Sequence, residues 1–293
     1  MKSAFNLFII FILSCSGKDV NDASNDFSRG VKLAQLNNKN LREISGMVSS
    51  INNPKLLWVH NDAGNKAEIF LLDENLDVKL TCKLNGIDNR DWEDIAIGPG
   101  PDSTKRYIYV GEIGDNDARH RYKYVYRFEE PTWDKNEKSL TISDFDKIIF
   151  QLPDGPKDTE TLLLDPRTKD LYVVTKREKP VYVYKVKYPY QPGDTLTASK
   201  VLSLPFTGIV GGDFSADGDR ILLKNYSNVF YWNSPSLPVE ELLKQTPKEV
   251  PYEVEPQGEA ITWARDGSGF YTLSEESKKE KSYLYFYKFR NSP

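Results

Sequence analysis

Five stretches decide how this chain folds: EISGMVSS at residues 43–50, EDIAIGPG at 93–100, ETLLLDPR at 160–167, DFSADGDR at 213–220 and EAITWARDG at 259–267. Each opens on an acid (Glu43, Glu93, Glu160, Asp213 or Glu259) and continues into a short apolar segment. A second apolar segment follows each: Leu57-Trp58-Val59, Tyr107-Ile108-Tyr109-Val110, Leu171-Tyr172-Val173-Val174, Ile221-Leu222-Leu223 and Phe270-Tyr271-Thr272-Leu273. Third segments occupy 68–72, 122–128, 181–186, 229–232 and 283–289, and fourth segments 78–84, 147–152, 200–204 and 249–254. Aromatic and β-branched residues dominate these segments, and Asp165-Pro166, Asp217-Gly218 and Asp266-Gly267 punctuate them. Strands joined by tight turns have this composition.

The acids lie 50, 67, 53 and 46 residues apart. Four strands with their turns need about 40–50 residues, so each repeat is one four-stranded unit. A single such sheet cannot bury both faces, but sheets stacked around an axis can, which predicts an all-β fold, a β-propeller. The last unit stops at Phe289 without a fourth strand, whereas Val31-Lys32-Leu33-Ala34-Gln35-Leu36 precedes the first unit and belongs to none. Pairing the two closes a ring of five four-stranded blades and hides an exposed edge. The long second repeat carries extra chain around 131–146, and a six-bladed ring is the alternative if that chain forms a sheet.

The start of the chain reads as a targeting segment. Lys2 precedes an apolar run at 7–13 that is too short to span a bilayer, followed by Ser14, Cys15, Ser16 and Gly17. Ile12-Leu13-Ser14-Cys15 resembles a lipobox, which would export the protein and hold it on the membrane by a lipid on Cys15. The alternative is free secretion after cleavage at Gly17. The domain plan is therefore a signal at 1–17, a polar tether at 18–28 and one propeller domain at 29–293. Only Cys82 remains in the folded part, so stability rests on the core and not on a disulfide. With 39 Lys and Arg against 43 Asp and Glu, the net charge is −4; no basic face is implied and nucleic acid is not an expected partner. The expected oligomeric state is a monomer.

In a propeller the first strand of each blade lies nearest the axis. Its start and the end of the second strand share one face, because the two run antiparallel. The second segments close on His60-Asn61-Asp62, Gly111-Glu112-Ile113-Gly114-Asp115-Asn116, Thr175-Lys176-Arg177-Glu178, Lys224-Asn225-Tyr226 and Ser274-Glu275-Glu276. Together with the repeated acids these residues predict a polar funnel, acidic at the first, second and fifth blades and basic at the third and fourth. Crowded carboxylates call for a hard cation, Ca²⁺ or Mg²⁺, with Asp62, Glu93, Glu112 and Asp115 as its ligands. Lys176, Arg177, Lys224, Glu160, Glu259 and Glu275 would bind a small-molecule or polysaccharide ligand, the cations taking its anionic part. If the protein is an enzyme, His60 or Glu43 supplies the base. A repeated acid has a purely architectural reading as well, as an acceptor for backbone N–H groups of the next blade. No zinc spacing, nucleophile elbow or phosphate-binding loop is present, and Gly98-Pro99-Gly100-Pro101 reads as a rigid turn.

The stretches Asn89-Arg90-Asp91-Trp92-Glu93-Asp94-Ile95-Ala96, Tyr109-Val110-Gly111-Glu112-Ile113-Gly114-Asp115-Asn116, Val174-Thr175-Lys176-Arg177-Glu178 and Pro256-Gln257-Gly258-Glu259-Ala260 together resemble a family of exported β-propeller proteins, over nearly the whole chain after residue 40. The chain is more distantly similar to esterase-like phytase and SdiA-regulated propellers. The resemblance implies the fold and the funnel and transfers no reaction. Two functions from different classes follow: a non-catalytic binding or matrix protein whose funnel holds a divalent cation and an anionic ligand, or a metal-dependent hydrolase or lyase acting on a phosphoester or acidic sugar.

Overall fold

A computed structural model describes residues 26–191, 193–276 and 280–290. The signal segment, Cys15 and Gly17 lie outside the described residues. The described chain enters through Phe27, which is buried, bridges Phe289 and packs on Tyr231, Trp263 and Phe270. Residues 26–28 are thus already part of the ring, although the expected tether ran to residue 28.

Strand β1 (Val31–Gln35) comes first. Blade 1 is β2 (Ile44–Ser49), β3 (Leu57–Asn61), β4 (Glu68–Leu72) and β5 (Val78–Leu84). Blade 2 is β6 (Trp92–Gly98), β7 (Tyr107–Glu112), β8 (Lys123–Glu129) and, after β9 (Ser139–Ile142), β10 (Asp146–Gln151). Blade 3 is β11 (Thr159–Leu164), β12 (Leu171–Thr175), β13 (Val181–Val186) and, after β14 (Thr195–Thr197), β15 (Ser199–Leu204). Blade 4 is β16 (Ile209–Phe214), β17 (Arg220–Asn225), β18 (Val229–Asn233) and, after the short helix α1 (Val239–Leu243), β19 (Lys248–Val250). Blade 5 is β20 (Ala260–Trp263), β21 (Gly269–Leu273) and β22 (Tyr283–Lys288), completed by β1 in antiparallel register, Val31 opposite Phe286 and Gln35 opposite Tyr283. The terminal strands therefore close the ring.

The extra chain of the second repeat builds no sixth blade. Its strand β9 runs parallel to β5 on the outer edge of blade 1, and β14 does the same to β10 on blade 2, so these two sheets have five strands instead of four.

Burial follows position in the ring. The inner strands β2, β6, β11, β16 and β20 are buried along their whole length, each flanked by two other blades. The fourth strand β5 alternates from Leu80 to Leu84 between buried residues and partly or fully exposed ones, as a strand with one solvated face does. Five apolar clusters fill the five seams. Trp58, Ile69 and Cys82 meet Trp92, Ile108 and Phe128 between blades 1 and 2, and the other seams are built in the same way. The core is thus divided among blade interfaces, which holds the inner strands in fixed relation at the axis.

Candidate functional site

The inner strands carry a shared irregularity. Register slips by one residue between Ile44 and Gly46, Trp92 and Asp94, Thr159 and Thr161, and Ile209 and Gly211. A bulged residue is re-aimed relative to its strand. The bulged positions are Ser45, Glu93, Glu160 and Val210, and Glu259 takes the same place just before β20. Glu93, Glu160 and Glu259 converge as a result, each offering a carboxylate oxygen within 4.8 Å of the others.

The other two repeated acids stand off this register. Glu43 lies two residues ahead of the bulge, exposed, where its carboxylate accepts an Asn65 Nδ2 hydrogen bond of 2.7 Å. Asp213 lies three residues past it, at the far end of β16, and accepts from Thr262 Oγ1 at 2.8 Å and the Trp263 N–H at 2.9 Å. It staples blade 4 to blade 5, and burial pushes its carboxyl up to about 6. Asp94 pins blade 2 to blade 3 in the same way, accepting from the Ile95 and Leu162 N–H groups.

A second group forms beside the glutamate trio. Asp62, just after β3, and Asp91, just before β6, join Glu93 with oxygens within 4.8 Å. Gly114 makes room for them: a Cβ there would lie 2.1 Å from Glu93 Oε1 and 2.6 Å from Asp91 Oδ2. Asp91 is not among the ligands expected from the sequence, because it precedes the repeated acid and belongs to no strand.

The two groups differ in how they are neutralised. Lys176 Nζ stands 3.0 Å from Glu160 and 3.8 Å from Glu259, and Tyr226 donates to Glu259 at 2.7 Å. Burial works against the Lys176 ammonium, yet Glu160 and Glu259 hold it above its ordinary range. Among the described residues, Asp62, Asp91 and Glu93 form no ion pair. Burial, then Asp62 and Asp158, push Asp91 up to about 6. Burial is also the main cause that raises Glu93 well above the carboxylate range, with Glu160, Asp62, Glu259 and Asp91 adding to it. Glu160 rises to about 8 through burial against the pull of Lys176. Glu275 reaches about 8 through burial and the charges of Glu259, Asp62 and Glu43.

The remaining expected residues sit apart from these groups. Glu112 is buried against Arg90, 3.5 Å away, and accepts from the Tyr126 hydroxyl. Asp115 accepts from the Arg119 and His120 N–H groups and lies 3.6 Å from the buried Lys123. Arg177 pairs with Asp158 at 2.7 Å on the half-exposed rim. Lys224 is fully buried and donates to Tyr252 and to the Gly258 carbonyl, tying down the turn that presents Glu259. His60 is buried between blades 1 and 2. Its ring meets Trp92 edge-on, its Nδ1 lies 3.0 Å from the Asn61 carbonyl, and burial lowers it to about 4.

Neither a scan of the chain against protein-family models nor a search of curated proteins returns a match, so the likeness to exported propellers rests on the quoted motifs alone.

Proposed function

We propose that the funnel binds a divalent cation, Ca²⁺ or Mg²⁺, between Asp62, Asp91 and Glu93, and with it an anionic ligand, in a non-catalytic binding role. One observation carries this reading: three carboxylates share a 4.8 Å space without an ion-pair partner among the described residues, while the adjoining pair Glu160 and Glu259 has Lys176. Ca²⁺–oxygen distances of 2.3–2.6 Å place opposite ligands about 5 Å apart, which suits this spacing. Burial and then the neighbouring carboxylates raise Glu93 and Asp91, and a bound cation would oppose both by stabilising the ionised forms. Its open coordination positions suit a carboxylate or phosphate of the ligand, with Arg177 on the rim to steer it.

His60 supports binding over hydrolysis, because a neutral imidazole sealed between two blades is a poor base for a substrate in the funnel. The function would be exercised outside the cytoplasm, on the membrane through a lipid on Cys15 or in secreted form.

Calorimetric titration with CaCl₂ and with MgCl₂ near neutral pH tests the reading. The parent protein is expected to bind one of the two ions, and Glu93→Gln to lose the binding. Absence of binding of either ion at millimolar concentration refutes it. Turnover of a phosphoester or acidic sugar by the ion-loaded protein would replace the binding role with the hydrolase or lyase role.

A further inference from the structure

We propose that the outer edge of β15 accepts a strand from a partner protein: an extended, uncharged peptide laid parallel to β15, with a leucine or similar side chain between small hydroxyl residues.

Blade 1 ends in β5 and blade 2 in β10, and each edge is covered by a short parallel strand, β9 or β14. Both covering strands come from the same place, the connection between the third and fourth strands of the next blade. They read Ser-Leu-Thr-Ile and Thr-Leu-Thr, and Leu140 and Leu196 pack onto the seams beneath. The equivalent connection in blade 4 should cover blade 3. It cannot, because Pro238, Glu240 and Glu241 start helix α1 there, and the chain returns through Pro247. Sheet 3 therefore ends at β15 among the described residues; α1 packs against β15 and joins the apolar cluster of that seam, but does not pair with it as a strand.

A groove of about 900 Å³ lies beside the last three residues of β15, Leu202 to Leu204, and is closed on its other side by blade 4. Leu202, Leu204, Phe206, Phe230, Trp232 and Leu243 form its apolar lining. Phe206 is only partly buried and stacks on Phe230 with centroids 4.0 Å apart, a flat platform for an apolar side chain. The rim charges are already matched, Lys248 with Asp26 and Lys244 with Glu241, which favours an uncharged occupant. A small apolar molecule would fill the groove but leave the edge N–H and C=O groups of β15 unpaired. A strand satisfies both, as β9 and β14 do in their own blades.

The probe is a fluorescent synthetic peptide blocked at both ends, Ser-Leu-Thr-Ile-Ser, the sequence of residues 139–143, titrated into the full chain by anisotropy. Saturable binding is expected, with new protection from hydrogen exchange at the β15 amides that face away from β13. The same peptide with Leu140→Asp, and the protein variant Leu202→Glu, should each weaken binding at least about tenfold, the worth of one buried leucine. The peptide variant needs no refolding of the protein and keeps the test decisive if Leu202→Glu folds poorly. The proposal falls if no binding appears at millimolar peptide or if the Leu140→Asp peptide binds equally. It falls too if Leu202→Glu leaves binding intact, since the peptide would then bind elsewhere. Protection, before peptide is added, of the β15 amides that face away from β13 also overturns it, because the chain or a second copy would already cover the edge.

Discussion

Raising the pH from 6.5 to 8 in the presence of a chelator should weaken this fold, and Ca²⁺ should remove the effect. The window follows from which groups titrate in it. His60, lowered from the usual 6.5 to about 4, makes the fold more stable as pH rises to 6.5 and has no effect on the slope above that. Lys123 and Lys224, brought down by burial to about 8, act mainly above 8. Between these limits the acids dominate. Glu160 keeps its proton to about 8 in the folded protein, against an ordinary 4.5. A proton held only by the folded state lowers stability by about 1.4 kcal/mol per pH unit. Counting the Glu93, Glu160 and Glu259 trio as a single retained proton gives a loss of about 2 kcal/mol across the window. Glu275 is more exposed and adds less.

A bound divalent ion takes the place of the protons, so the slope should flatten. At a hundredfold excess over its Kd the ion should add about 2.7 kcal/mol. Urea denaturation followed by the fluorescence of the five Trp residues, at several pH values with chelator or Ca²⁺, measures both effects. A chelated protein that is as stable at pH 8 as at 6.5 would refute the reasoning, because the funnel carboxylates would then ionise without cost.

Single substitutions should divide the funnel along the same lines. Glu93→Gln in chelator at pH 8 is expected to stabilise the fold by about 1–2 kcal/mol, since it removes the charge in the worst surroundings, and to abolish the Ca²⁺ effect in the same urea titrations. Lys176→Met leaves Glu160 and Glu259 buried without their cation and should cost about 3–5 kcal/mol at pH 8, less at pH 6.5, where the acids hold protons. Gly114→Ala forces a methyl group onto Glu93 and Asp91; calorimetry should show Ca²⁺ affinity reduced about tenfold, and denaturation a loss of about 1–3 kcal/mol.

The ring was legible because its causes repeat. Four apolar segments per unit, a missing last strand and an orphan first strand all appear in the linear chain, and the closure of β1 on β22 follows from them. The fifth strands β9 and β14 were not legible, because Ser-Leu-Thr-Ile and Thr-Leu-Thr are too short to be distinguished from loop. In the funnel, aligning the repeats on their acids placed Glu43 and Asp213 in register with the other three. The structure aligns them on a bulge, and a bulge leaves no mark in composition. Charge type was readable but environment was not. Lys224 resembles Lys176 in sequence, yet one is sealed under Gly258 while the other lies among the glutamates.

Glu93 and Asp94 show how narrowly this fold separates architecture from site. The two carboxylates are adjacent and both buried. The bulge sends Glu93 toward Asp62 and Asp91, while Asp94 turns to the next blade, each of its oxygens accepting a backbone N–H at 2.8 and 2.9 Å. Changing either carboxyl to its amide should therefore have opposite results. Asp94→Asn can offer only one acceptor oxygen, so its amide meets a donor and an N–H loses its partner, at a cost of about 1–3 kcal/mol. Ca²⁺ affinity should survive this change. Glu93→Gln should gain stability in chelator and lose the ion. Urea denaturation and calorimetry on the two variants, side by side, make the comparison. If Asp94→Asn also loses the ion at unchanged stability, the carboxylates of the inner strands act as one undivided cluster, and the division drawn here between staple and ligand is wrong.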